Sequence, residues 1–143
     1  MDEADIRERL AQLNLEVGEY IVHSSASLVL RGVLDHAGDI DIVARGSAWR
    51  QALELVTAGA AVLDRGVHDQ RVSLGTDVEM YDGWLGESAD EVVPRAELVA
   101  GVPCAPLADV IAMKERLGRP KDREHLARIR SYLGGAAEPG TGG

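Results

Sequence analysis

Residues 39–43 read Asp-Ile-Asp-Ile-Val, and this short run restricts the fold more than any other stretch of the chain. In a strand, alternate side chains point to the same side, so Asp39 and Asp41 share one face while Ile40 and Val43 ask for buried surroundings. Two neighbouring carboxylates repel each other and resist desolvation, so that face needs water or a cation. The strand belongs to a sheet with an apolar interior, and it carries a chemical question with it.

Helix-like and strand-like segments surround this strand. "DEADIRERLAQLNL" places Ile6, Leu10 and Leu13 at helical spacing, with acids in its first turn. "GEYIVHSS" reads as a short strand, and "ASLVLRGVL" as a helix with Gly32 near its end. After the carboxylate strand comes a helix, "SAWRQALELVTAG", with Ser47 as N-cap and Gly59 as its stop. The order is α-β-α-β-α. "AAVLD" and "QRVSLGTDVEMYD" follow; the second alternates over Val72, Leu74, Thr76, Val78 and Met80, with Asp77 and Glu79 on the other face. It is one long strand or two, with Gly75 as a bend or turn. A loop rich in Gly, Asp and Glu spans 83–91. Pro106 opens a helix that Gly118 stops, and Pro120 opens the last one. The fold class is mixed α/β (α+β), a small mixed sheet flanked by helices with a helical C-terminal third.

At 143 residues the chain has the size of one domain, assigned to residues 1–133, and can bury a core without disulfides. The stretch 134–143, "GGAAEPGTGG", is too poor in apolar groups to order itself and is expected to be a disordered tail. A single cysteine, Cys104, has no partner for an intrachain bridge; it reads as a small buried apolar group. With no apolar signal segment at the N-terminus, it points to a cytoplasmic protein. No apolar run has the length to span a bilayer. The net charge of −9 argues against nucleic-acid binding by the whole surface. The charge is uneven, however. Between residues 114 and 130 seven basic residues, both lysines among them, face three acidic ones, which is either a solvated helix face or an anion site.

Three features converge on phosphate chemistry. Ser24 and Ser25 lie where a strand gives way to a helix, where backbone N–H groups and the helix dipole favour an anion; the plain alternative is a serine N-cap. Asp39 and Asp41 follow downstream, and Glu79 stands on a later strand between Val78 and Met80. Three carboxylates on one face of adjacent strands make a hard-oxygen site for Mg²⁺, with room left for water and phosphate oxygens. Such ions activate an attacking hydroxyl and stabilise the leaving group in an in-line displacement at phosphorus.

On these residues the chain resembles the nucleotidyltransferase superfamily, the fold shared with polymerase β, and especially its minimal bacterial members. "YIVHSSASLVLRG" followed by "GDIDIV" is similar to that family's Gly-Gly or Gly-Ser turn, helix and Asp-x-Asp strand. "PLADVIAMKERLGRPKDREHL" resembles the helical ending of the subgroup that includes abortive-infection and toxin–antitoxin nucleotidyltransferases. The likeness covers residues 17–132. It implies transfer of a nucleoside monophosphate from an NTP to an acceptor hydroxyl of RNA, protein or a small molecule, with loss of pyrophosphate. By position it implies that Asp39 and Asp41 bind magnesium and that Glu79 completes the site and helps deprotonate the acceptor. It further implies that Ser24 and Ser25 cradle the triphosphate, that Lys114 and Lys121 neutralise it, and that an antitoxin is a possible partner chain. Serine stands at position 24 where the family's turn normally has glycine, which lets backbone approach phosphate closely.

Two rival readings remain at this stage. A phosphatase with an Asp-x-Asp pair wants an apolar run before its first Asp, whereas "LDHAG" precedes Asp39. A nucleotide- or partner-binding module that kept the fold and lost turnover is favoured by Ser24 and opposed by the three acids. The four histidines show no metal-ligand spacing, and His23 alone stands near the site; Trp49 and Trp84 read as core or loop anchors.

Overall fold

Four consecutive buried residues, Tyr20–His23, form strand β1, which is covered on both faces and therefore shows no alternation of buried and exposed positions. In the computed structural model, which describes residues 1–137, β1 lies inside a seven-stranded mixed sheet. Its strands are β2 (Ile40–Ala44), β3 (Val62–Arg65), β4 (Gln70–Leu74), β5 (Val78–Tyr81), β8 (Glu97–Val99) and β9 (Val102–Cys104) besides β1. Their spatial order is β3-β4-β5-β2-β1-β9-β8. The β2–β5 and β1–β9 pairs are parallel and the others antiparallel. Gly83–Trp84 (β6) and Glu87–Ser88 (β7) form a separate two-stranded ribbon within the segment expected to be a loop.

Helices flank the sheet. In α1 (Glu3–Leu13) the predicted stripe Ile6, Leu10 and Leu13 is buried, and Asp2 with Asp5 closes a reciprocal capping box at its start. α2 (Ser24–Leu30) follows β1 directly, and α3 (Gly46–Thr57) follows β2 after one residue. A short α4 (Ala89–Val92) leads into the β8–β9 hairpin, and α5 (Leu107–Leu117) and α6 (Pro120–Ala137) make the helical C-terminal third. Gly118, in the left-handed conformation with φ 58°, ends α5 as a glycine C-cap does. The core centres on Ile21, Val22, Leu28, Ile40, Ile42, Val43 and Met80, with Cys104 free and buried among them. No helix of the described residues is long and apolar enough to cross a membrane.

Several local expectations are corrected. Ser47 does not cap α3: the helix begins at Gly46 with Arg45 in the cap position, and the Ser47 hydroxyl donates to Glu16 instead. The segment 70–81 is two strands around a turn at Gly75, so Thr76 and Asp77 leave the strand and Asp77 does not share a face with Glu79. Residues 134–137, expected to belong to the tail, are instead helical as the end of α6, in spite of Gly134 and Gly135. Residues 138–143 of that predicted tail lie outside the described residues.

Candidate active site

Strand register assembles the site. In the β1–β2 pair His23 stands opposite Asp41, and in the β2–β5 pair Asp41 stands opposite Glu79. Residues opposite one another project from the same face, so His23, Asp41 and Glu79 form one row across three strands. Asp39, two residues before Asp41, joins it. One carboxylate oxygen from each of Asp39, Asp41 and Glu79 can be chosen so that all lie within 4.8 Å of one another. Asp77 is elsewhere: its carboxylate pairs with Arg9 at 2.9 Å, and its carbonyl accepts from the Ile40 N–H. The structure thus gathers Glu79, not Asp77, with the two aspartates.

These acids are electrostatically unsettled. Burial pushes the Asp41 carboxyl up to about 7, and the charges of Asp39 and Glu79 push the same way; Lys121 and Lys114 offset them only in part. Asp39 is raised by burial and by Glu79. Nearby carboxylates are satisfied: Asp82 accepts from the Gln70 N–H, Asp69 from the Leu85 N–H and Glu79 from the Tyr81 hydroxyl. Among the described residues no such donor reaches Asp39 or Asp41. Two partly buried carboxylates without protein donors, beside a third, are a donor set for a hard divalent cation.

The acids line a cavity of about 330 Å³ together with Ser24, Ser25, Arg71, Tyr81, Arg119 and Lys121. Lys121 is exposed beside the aspartates, and its charge lowers the pKa of both. Lys114 is placed differently. Its side chain has no exposure, its ammonium lies 2.9 Å from Nδ1 of His125 and 3.6 Å from Asp122, and it lines no part of the cavity. Lys114, expected from the sequence to neutralise a triphosphate, thus stands behind the cavity wall, and its charge lowers the pKa of Asp41. Burial opposes the charge on Asp122, but hydrogen bonds from Arg119 outweigh it and hold that carboxyl at about 2. Burial also lowers the Lys114 pKa, against the pull of Asp122.

Ser24 is the strained position. Its φ is 59°, a left-handed conformation that costs an L-residue about 1–2 kcal/mol and glycine little. Its N–H is not free for an anion, because it donates to Nδ1 of His23 at 2.8 Å. Burial, with help from Arg95 and Lys114, takes the His23 pKa down to about 3, so the ring stays neutral and keeps that acceptor. Ser25 lines the cavity with its hydroxyl 3.5 Å from His125. Ser24→Gly is expected to leave unfolding free energy within about 1 kcal/mol, relief of strain being offset by the freer unfolded chain. Ser24→Val should cost about 2 kcal/mol or more, since a β-branched residue tolerates this φ worst. Denaturant titration of both variants checks the pair, and equal stabilities would remove the argument for strain.

Tyr81, Arg71 and Arg119 also line the cavity without having been singled out in the sequence, and Trp84, read there as a core or loop anchor, lines it too. Tyr81 was within reach of period-two reasoning, two residues past Glu79 on one strand. Arg71 comes into place only through the β4–β5 register, which puts it opposite Tyr81.

No protein-family model matches the chain, and no curated protein matches it. Its fold is similar to the crystal structure of a Thermotoga maritima protein described as a "putative nucleotidyltransferase". That likeness has a TM-score of 0.57 at 19% identity and covers 93% of this chain and 95% of the other.

Proposed function

We propose that this chain is a magnesium-dependent nucleotidyltransferase, moving a nucleoside monophosphate from an NTP to an acceptor hydroxyl with release of pyrophosphate. One observation carries the reading: Asp39, Asp41 and Glu79 converge to within 4.8 Å in a cavity that also presents Arg71, Arg119 and Lys121. Carboxylates and cations side by side fit a substrate that arrives as an anion with a divalent cation. The fold of the Thermotoga maritima neighbour, and the name that protein carries, favour the same reaction class.

In this reading Asp39 and Asp41 would hold the metal, which when bound would supply Lewis-acid charge to the phosphate oxygens. Glu79 is the third ligand and the acceptor of the attacking hydroxyl's proton. Lys121 and Arg119 neutralise the triphosphate from the α5–α6 corner, and Ser25 offers its hydroxyl beside it. Lys114 stabilises the charged state of Asp41 without touching substrate. A partner chain of the antitoxin kind belongs to the same proposal and is tested by co-purification.

A second reading has an observation of its own. With its N–H committed to His23 and its φ strained, Ser24 offers a phosphate less than a glycine turn does. This favours a module that binds nucleotide without turning it over. The deciding experiment gives the protein Mg²⁺, each α-labelled NTP in turn, total RNA and cell lysate, beside an Asp39→Ala/Asp41→Ala control. Label on any acceptor with the intact protein alone establishes transfer and identifies base and acceptor class. Absence of label with a Mg²⁺-dependent rise in Tm on adding NTP supports the binding module; absence of both sinks the nucleotide reading.

A further inference from the structure

Glu79 does not offer its two carboxylate oxygens equally. Tyr81 projects from the same face of β5, and its hydroxyl donates a 2.6 Å hydrogen bond to Oε2. Arg71 stands opposite Tyr81 on β4, and its Nη1 lies 4.0 Å from Oε1, beyond hydrogen-bond range. Oε2 is thus committed to a protein donor and Oε1 is not. The donor is itself fixed: the Tyr81 ring meets Trp84 edge-on at 5.0 Å, and Trp84 stacks on the buried ring of His23 at 4.4 Å. Moving the Tyr81 oxygen away from Glu79 would require its ring to leave Trp84.

One oxygen or two is the choice that separates divalent cations. Small six-coordinate ions such as Mg²⁺ and Mn²⁺ demand near-octahedral geometry at about 2.1 Å, whereas Ca²⁺ takes about six to eight oxygens and accepts a carboxylate through both. We infer that Tyr81 is a positioning residue that keeps Glu79 a one-oxygen ligand and so sets the preference of the site for a small octahedral cation over calcium. The inference rests on the metal half of the proposed function and on no step of the transfer reaction. It requires no change in the charge of either group, only in where Oε2 is spent.

Removing the hydroxyl isolates the effect, because Tyr81→Phe keeps the ring and its contact with Trp84. The full-length protein, Tyr81→Phe and Asp39→Asn/Asp41→Asn are titrated calorimetrically with Mn²⁺ and with Ca²⁺, and each is melted in chelator. The parent should prefer Mn²⁺, and Tyr81→Phe should shift the Mn²⁺-to-Ca²⁺ affinity ratio toward calcium by about tenfold, the usual size of an outer-sphere effect, while the lost hydrogen bond lowers the metal-free Tm by about 5 °C. Made on a Glu79→Gln background, the same substitution should have no effect on the ratio, since Tyr81 acts through that carboxylate. A ratio unmoved by Tyr81→Phe overturns the inference, as does a shift that persists beside Glu79→Gln. A parent that binds neither ion, or a double asparagine variant that binds as the parent does, instead overturns the metal reading itself, so the two failures are told apart.

Discussion

On the proposed function, Asp41→Asn should slow nucleotidyl transfer on the order of a thousandfold and, at the same time, make the metal-free protein more stable. Both results follow from the position of Asp41 between Asp39 and Glu79, partly buried and without a protein donor. Losing one of three anionic ligands removes charge complementarity at the reacting phosphate and should cost on the order of a thousandfold in rate. Folding, by contrast, has to bring that carboxylate into a poor dielectric beside two others. Its pKa of about 7 means that the native state binds more protons than the unfolded chain between about pH 4 and 7. The parent therefore loses stability as pH rises through that window and levels off above it. Asparagine carries no such penalty, so the stability gap between variant and parent should widen from pH 4 to 7 and reach a few kcal/mol by pH 8. His23 works in the opposite sense: with its pKa at about 3 it destabilises the native state as pH falls below the ordinary histidine range. Both proteins share His23, and the difference between their melting curves cancels it. A variant less stable than the parent at pH 8 would remove the picture of a strained carboxylate cluster.

Lys114→Met is the second large effect, and it falls on the fold. Lys114 and Asp122 both have fully buried side chains; Asp122 keeps its hydrogen bonds from Arg119 when Lys114 is removed, so the loss should be about 2–3 kcal/mol, below that of a buried charge left with no partner. A fall in Tm of about 5 °C or more is expected. Lys114→Met with Asp122→Leu should lose less than the sum of the two single changes, since the double variant strands no charge. The exposed Lys121 gives the contrast: Lys121→Met should leave Tm within about 2 °C and weaken the Mg²⁺-dependent stabilisation by NTP. If Lys114→Met melts like the parent but loses NTP binding, the two lysines have been given each other's roles.

The contrast between these lysines shows where sequence reasoning stopped. Spacing put both on a basic stretch, but only the crossing of α5 and α6 decides that one ammonium faces Asp122 and the other the cavity. The carboxylate row was legible because strand alternation and apolar neighbours select Asp39, Asp41 and Glu79 without knowledge of strand order. Asp77 shared a face with Glu79 in the sequence and only its less apolar neighbours counted against it; in the fold the turn at Gly75 removes it from the strand and Arg9, distant in sequence, takes its side chain. The β8–β9 hairpin went unread, although Ala100 and Gly101 at φ 48° and 85° make a two-residue turn of the kind that closes hairpins. Ser47 has the right chemistry for a cap but stands inside the helix, because β2 ends at Ala44 and leaves one residue before α3 begins.

The shared row of His23, Asp41 and Glu79 ties the history of the site to that of the core. Asp41 lies between Ile40 and Ile42, both fully buried, so any one-residue insertion or deletion in β2 would turn its carboxylate inward and its isoleucines out. Length changes inside β2 or β5 thus lose the fold together with the chemistry, whereas the Gly75–Asp77 turn can grow without moving either. A lineage that abandoned the reaction while keeping the protein could do so only by exchanging one residue for another. On the proposed function, its descendants would keep this spacing and show the change first at positions 39, 41 and 79.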